Sequence, residues 1–417
     1  MSSETAIPRI NGERLWHSLQ QLGEIGADAS SGGVTRLSLS DAELEARQFI
    51  VCLMKEAGLD VRQDEAGNLI GRLEGELPGA VVTGSHIDSV IQAGRFDGPL
   101  GVLSGIEALR TVKEQGIRHA RPLEVICFTD EEGVRFGAGY FGSRAMAGSW
   151  DEAWLELTDF SGITLKEAME RANLKPHKAS QAARSGEEIK AYVELHIEQG
   201  RVLEDREIPV GIATAIYGHR WLEVRLQGRA DHAGTTPMKL RRDPMAAAAE
   251  AMLAAERIAL QAGGVATAGT LQISPGAINV IPGEVIFTLD VRHERLDSLA
   301  EMARAIESAV NQVADERRLE AAIRIIDGAD PVQSAESVMA AIAAGCGELN
   351  IPEHRMICGA GHDAVVMSGI TDMGLILIRS KDGISHHPQE WSSLDDCEAG
   401  ANVLLHTLIR LANDIIV

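Results

Sequence analysis

Apolar positions gather into short unbroken runs in the first half of the chain. AVVTGSH (80–86), PLEVICFTD (122–130) and AYVELHIEQG (191–200) are three of them. Helical spacing lies between such runs. Phe49, Ile50, Leu53 and Met54 share one face behind Ser40-Asp41-Ala42-Glu43, which reads as a capping box opening a helix through about Ala57. A polar turn at 64–68 and a further helix at about 100–115 continue the rhythm. Strands that are continuously apolar and alternate with helices predict a mainly parallel α/β sheet buried on both faces.

The pattern changes after about residue 210. RWLEVRLQGRA alternates like a half-exposed strand. An Ala-rich helix follows over 243–261, with Asp243-Pro244 supplying cap and first-turn chemistry. Strands at about 266–273 and 284–292, a helix at about 296–318 and a strand at 321–326 complete a βαββαβ order. That order predicts a ferredoxin-like α+β domain. Helix–strand alternation then resumes, with GLILIRS (374–380) as a buried strand. The expected organisation is one α/β domain made of residues 1–210 and 329–417, interrupted by an inserted domain over 211–328. No repeat or low-complexity tract is evident.

Composition narrows the classes. The 417 residues carry 39 Lys and Arg against 61 Asp and Glu, a formal net charge of −22. Nucleic-acid binding, which wants a basic face, is not expected, and neither is a polybasic membrane surface. No apolar run is long enough to span a bilayer. MSSETAIPRINGERLW has no basic segment followed by an apolar stretch, so no secretory signal is expected. Cys52, Cys127, Cys346, Cys358 and Cys397 are odd in number, scattered and without a CxxC pair. They read as reduced thiols of a cytoplasmic protein.

Ligands in open α/β sheets collect beyond the carboxyl ends of strands, and here three runs end in histidine or acid. His86 and Asp88 stand two apart in GSHID; a metal-bound imidazole commonly gives its second N–H to such a carboxylate. Asp97 is flanked by glycines in GRFDG, which would let its carboxylate lie close to metal without a Cβ clash. Asp130-Glu131-Glu132 repel one another at a strand end unless a cation is present or they point apart. His196 in ELHIEQG and the His386-His387 pair in GISHHPQE add imidazoles. Such N/O donors suit zinc-type ions, and two ions near one another need a bridging carboxylate, for which Asp97 is the natural candidate. His17, His119, His177, His354 and His406 lie in helical or loop contexts outside these acid-bearing strand ends and read as ordinary surface or core residues.

GSHIDSV, GRFDGPLGVLSGIEAL, DEEGVRFG, ELHIEQGRVLE, DHAGTTPM, NVIPGEV, GAGHDA and GISHHPQEW occur in that order between Gly84 and Trp391. Together they resemble the hydantoinase/carbamoylase branch of the M20 metallopeptidase superfamily. That branch holds N-carbamoyl-L-amino-acid hydrolases, β-ureidopropionases and allantoate amidohydrolases. The resemblance implies two divalent ions per subunit (Zn, Mn, Co or Ni). His86 and His196 would hold one, Glu132 and His386 the other, with Asp97 between them. It makes Glu131 the general base and Asp88 the partner that orients His86. His387 departs from the small residue commoner before the proline; His386 keeps the family spacing to Pro388. The inserted domain becomes a lid and homodimerisation domain. His232 would reach the partner subunit's active site and stabilise an oxyanion, and Asn279 and Arg292 would anchor a substrate carboxylate. Gln199 and His219 become further substrate contacts, while His362 and Asp363 match a motif without a defined role. The implied reaction is cleavage of the carbamoyl C–N bond of an N-carbamoyl-L-amino acid or related ureido acid. Allantoate or ureidoglycolate hydrolysis is the nearest alternative. A dipeptidase, an N-acyl amino acid hydrolase or a catalytically dead binding module is a more remote one.

Overall fold

A computed structural model describes residues 7–414. Residues 1–6, part of the segment without an expected leader, lie outside the described residues. The chain divides into two compact units, one formed by 1–214 with 334–417, the other by 215–333.

The first unit is built on a nine-stranded sheet. Its centre is four parallel strands, Leu123–Phe128, Ala80–His86, Ile189–Ile197 and Met373–Ile378, in that spatial order. All are buried apart from Lys190, as the unbroken apolar runs predict. The flanks are antiparallel. Asp60–Gln63 and Leu69–Leu73 form a hairpin around the polar turn, because a short connection cannot reverse the chain into a parallel pair. Val210–Ile216 runs antiparallel to Met373–Ile378 on the other side. Helices Gly12–Glu24, Asp41–Glu56, Pro99–Glu114, Glu336–Glu348 and Leu394–Ala412 contribute apolar faces to one core with the sheet.

The capping box at Ser40 forms by half. Ser40 Oγ accepts from Glu43 N, but the Glu43 carboxylate takes the Leu39 N–H at 3.2 Å and pairs with Arg47 at 2.6 Å. Arg47 in turn donates to Thr129 Oγ1 at 2.7 Å, so this helix braces the strand end that leads into the three acids. Two of the histidines set aside on sequence grounds do have acidic neighbours. His406 Nδ1 meets Glu348, and His177 lies 3.7 Å from Glu152.

The second unit contains a four-stranded antiparallel sheet in the order Glu320–Ala329, Gly218–Gln227, Glu284–His293, Val265–Ser274. With helices Pro244–Ala262 and Leu296–Arg317 this is the βαββαβ, ferredoxin-like arrangement. Alternate residues explain it: Leu222, Val224, Leu226, Val285, Phe287, Leu289 and Val291 are buried with the alanines of the first helix, and their neighbours are more exposed. Asp243 caps that helix through Met245 N and Ala246 N. A two-residue ladder pairs Asp231–His232 with Val280–Ile281. All five cysteines are free, Cys52 exposed and the others buried. Among the described residues no helix is long and apolar enough to cross a membrane.

Candidate metal centre

Parallel pairing brings the carboxyl ends of the central strands into register. His86, the last residue of its strand, stands opposite Phe128, and His196 opposite Leu377. Asp130-Glu131-Glu132 follow Phe128 by two residues, and the loop carrying His386 follows the 373–378 strand. Asp97 enters from the turn before helix Pro99–Glu114.

The Asp97 carboxylate stands at the middle of the cluster. Its Oδ1 lies 3.2 Å from His196 Nε2 and 3.7 Å from His86 Nε2, and its Oδ2 lies 3.2 Å from His386 Nε2. His386 Nε2 is also 3.7 Å from Glu132 Oε1, and His86 Nε2 is 3.7 Å from Glu131 Oε2. Potential ligand atoms of His86, Asp97 and His196 form one group within 4.8 Å, and those of Asp97, Glu132 and His386 form another. Glu131 shares a third group with His86 and Glu132, but only Glu132 also belongs with His386. His387 is turned elsewhere: its Nδ1 accepts from Gln389 N at 3.1 Å.

The donors are set for a cation. His86 Nδ1 is 3.0 Å from the Asp88 carbonyl, and His196 Nδ1 is 3.0 Å from the Ile197 carbonyl. Carbonyls only accept, so a proton on each Nδ1 would leave Nε2, the nitrogen nearest Asp97, as the ligand atom when a cation is bound. Glu132 Oε1 is buried without a hydrogen-bond partner. Unpaired buried acceptors are costly, and a cation would satisfy this one. The residues therefore fit a divalent-metal site.

Electrostatics agree. Burial raises the Glu131 carboxyl well above the usual range, reinforced by Glu132 and opposed by His86. Burial and the Asp97 charge push Glu132 to about 7. For Asp97 burial works upward, but hydrogen bonds from His196 and His386 overcome it and hold the carboxyl well below its ordinary value. The Asp97 hydrogen bond raises His386 to about 9. Such a concentration of acid in a desolvated place is the arrangement that bound divalent charge relieves.

Asp88 acts more broadly than the sequence suggests. Its main-chain oxygen, rather than its carboxylate, makes the close contact to His86; Oδ1 is 3.6 Å from that ring. The carboxylate accepts from Glu131 N at 3.2 Å and Glu132 N at 3.1 Å, so it fixes the turn bearing both acids. Gln199 Nε2 donates to Asp97 Oδ2 at 2.7 Å and its Oε1 is left without a partner.

His219, His232, Asn279 and Arg292 all lie in the second unit. His232 stands opposite Val280, and Ala233 N donates to the Asn279 carbonyl at 3.0 Å, so those two sites share one rung. His232 Nδ1 accepts from Gly234 N and Thr235 N at 3.0 and 3.2 Å, which leaves Nε2 as the donor of the neutral ring. Arg292 is directly opposite His219; it binds Asp290 through Nε and Nη2, and His219 Nε2 is 3.2 Å from Asp327.

Glu194 and Glu390 were not singled out from sequence, and His362 and Asp363 were noted there without a defined role. Glu194 accepts from Ser85 Oγ, Tyr192 Oη and Ala364 N. The His362 ring lies 4.3 Å from that of His196, and burial lowers its pKa well below the ordinary value. Asp363 is pushed to about 8 by burial and the Glu194 charge. Glu390 reaches Asp97 through hydrogen bonds. The acids at 194 and 390 sit inside the quoted motifs, which was the available signal.

A parallel-centred sheet with an imidazole–carboxylate cation site at its carboxyl edge defines a metal-dependent hydrolase class. The family model for peptidase family M20/M25/M40 matches residues 82–410. An N-carbamoyl-L-amino acid amidohydrolase of Geobacillus stearothermophilus is 48% identical over 97% of this chain and 99% of its own length. A ureidoglycolate hydrolase of Oryza sativa subsp. japonica is 37% identical over 97% and 85%. The crystal structure of a hydantoinase/carbamoylase-family amidase from Burkholderia multivorans superposes with a TM-score of 0.92 at 37% identity, covering 97% and 98%. The chain belongs to the M20/M25/M40 peptidase family.

Gly98 (φ 83°) tests the packing of this centre. An added Cβ would lie 2.5 Å from His86 Cε1. Gly98→Ala is expected to lose bound divalent metal with unchanged far-UV circular dichroism; wild-type metal content after dialysis would contradict that account.

Proposed function

We propose that the protein is a dimetal amidohydrolase that cleaves the carbamoyl C–N bond of N-carbamoyl-L-amino acids, giving amino acid, ammonia and carbon dioxide. The observation that carries this reading is the division of the Asp97 carboxylate, one oxygen toward His86 and His196 and the other toward His386. The greater identity to the N-carbamoyl-L-amino acid amidohydrolase than to the ureidoglycolate hydrolase supports the substrate choice.

His86, Asp97 and His196 would hold one ion, and Asp97, Glu132 and His386 the second. Zinc, manganese, cobalt and nickel all suit these donors. Bound there, the ions supply positive charge that acidifies a water and polarises the scissile carbonyl. Glu131 takes a proton from the attacking water and delivers it to the leaving nitrogen, a task its place beside His86 and Glu132 allows. Asp88 holds the main-chain turn that carries Glu131 and Glu132. Gln199 contacts the carbamoyl group. Arg292 and Asn279 anchor the α-carboxylate, Arg292 because its planar fork matches a carboxylate, and His219 adds a contact. His232 donates through Nε2–H to the developing oxyanion at the partner subunit's reaction centre; losing such a donor typically costs about 3 kcal/mol of barrier stabilisation.

The homodimer would form through the inserted domain. Its edge strand Val265–Ser274 exposes Leu271 and Ile273, and the adjoining helix exposes Leu253 and Leu260. An uncovered apolar edge strand is an association surface. Reduced cysteines suit a cytoplasmic setting.

The decisive assay is ammonia release by metal-loaded enzyme from N-carbamoyl-L-amino acids, N-carbamoyl-β-alanine, allantoate and ureidoglycolate, with acetate release read for an N-acetyl amino acid. N-carbamoyl-L-amino acids should give the highest kcat/KM, and Glu131→Gln should abolish turnover with metal retained. Preference for allantoate or ureidoglycolate would move the enzyme to ureide breakdown. Arg292→Ala should raise KM at least about tenfold for carboxylate substrates and leave their carboxamide analogues unaffected, an effect of about 1.4 kcal/mol or more. An equal change for both would remove the anchor. Sedimentation should give twice the 44.7 kDa chain mass; a single-chain mass would reject the dimer.

A further inference from the structure

Asp97 has to keep its two oxygens turned toward different imidazoles, although its side-chain torsions are free to rotate in a loop. Beside Gln199, which donates to Oδ2 and to Ser385 Oγ, a second restraint is Glu390, buried to 3% exposure and 293 residues away. Glu390 Oε1 accepts from the main-chain N–H groups of Phe96 and Asp97 at 2.9 and 3.1 Å. Its Oε2 meets Ser385 Oγ at 2.9 Å, and the same hydroxyl lies 2.7 Å from Asp97 Oδ2. One carboxylate thus grips the backbone of Asp97 and, through a serine, its side chain.

Two further features show that this joint is built in. Glu390 fills the space where a side chain at 94 would begin: a Cβ on Gly94 would lie 2.3 Å from Glu390 Cβ and Oε1. The flanking side chains also pack, the Phe96 and Trp391 rings meeting edge-on at 5.5 Å.

The joint acts on one side of the centre. Asp97 Oδ2 is the oxygen facing His386, and Ser385 directly precedes His386. His386 has φ 54°, in the left-handed region that a non-glycine residue occupies only under restraint from its surroundings. On the other side His86 and His196 are oriented by main-chain carbonyls.

We propose that Glu390 and Ser385 are positioning residues that set the affinity of the cation position formed by Asp97, Glu132 and His386, and leave the position formed by His86, Asp97 and His196 nearly unchanged. The proposal rests on the dimetal reading above. Hydrogen-bond partners behind metal ligands typically contribute about 10–100-fold in affinity. The effect is geometric rather than one of charge. A glutamine at 390 could accept from both main-chain N–H groups and donate its amide N–H to Ser385 Oγ, freeing the hydroxyl proton for Asp97.

The test is titration of metal-free protein with Mn²⁺ against a competing chelator, reading stoichiometry and both affinities. Wild type should bind two ions; fewer would reject the dimetal reading itself, whatever the variants do. Given two, Ser385→Ala and Glu390→Ala should each retain one ion at wild-type affinity and bind the second about 10–100-fold more weakly. Glu390→Gln and Ser385→Thr should bind both as wild type does. Equal weakening of both ions in Ser385→Ala, or no weakening, overturns the proposal. Loss of the second ion in Glu390→Gln overturns its geometric basis. Ser385→Ala removes only a hydroxyl, so the test stands even if Glu390→Ala does not fold.

Discussion

The site depends on a single buried carboxylate that cannot satisfy all its neighbours with protons alone. Asp97 meets three imidazole nitrogens, and the acids at 131 and 132 crowd the same desolvated place. Hydrogen atoms can balance some of that charge, but they leave Glu132 Oε1 unpaired. The parallel strands make this crowding possible, because the pairing of Thr83 with Val193 puts His86 and His196, each three residues further on, at the same level of the sheet before any loop contributes. Loops then need only bring Asp97, the paired acids and His386 to a place already defined.

Much of this was readable in the linear chain for physical reasons. A strand buried on both faces must be apolar throughout, so an imidazole or acid at its end is conspicuous. Glycine on both sides of Asp97 reflected real crowding: Gly98 faces the His86 ring, and Gly94 faces Glu390. The inserted unit was legible from its period-two strands, which bury alternate residues against alanine-rich helix faces.

The parts that stayed hidden depend on contacts between distant segments. Nothing near Ser40 says that Glu43 will turn from its own helix end to Arg47, or that Arg47 will brace Thr129. Asp88 looked like a simple partner for His86, yet its carboxylate supports the next strand's exit loop. Glu390 was visible as a letter four places after His386, but its target lies on the far side of the sequence. Motif order reveals which residues matter more readily than which atoms meet.

The hydrogen bonds around His232 carry one further consequence. With Nδ1 saturated by two main-chain N–H groups, the ring has spent its only basic lone pair. In the neutral ring this leaves the Nε2–H as the group it can present to a ligand. In the proposed reaction this backbone geometry would make the imidazole a fixed N–H contact and leave proton transfer to a carboxylate.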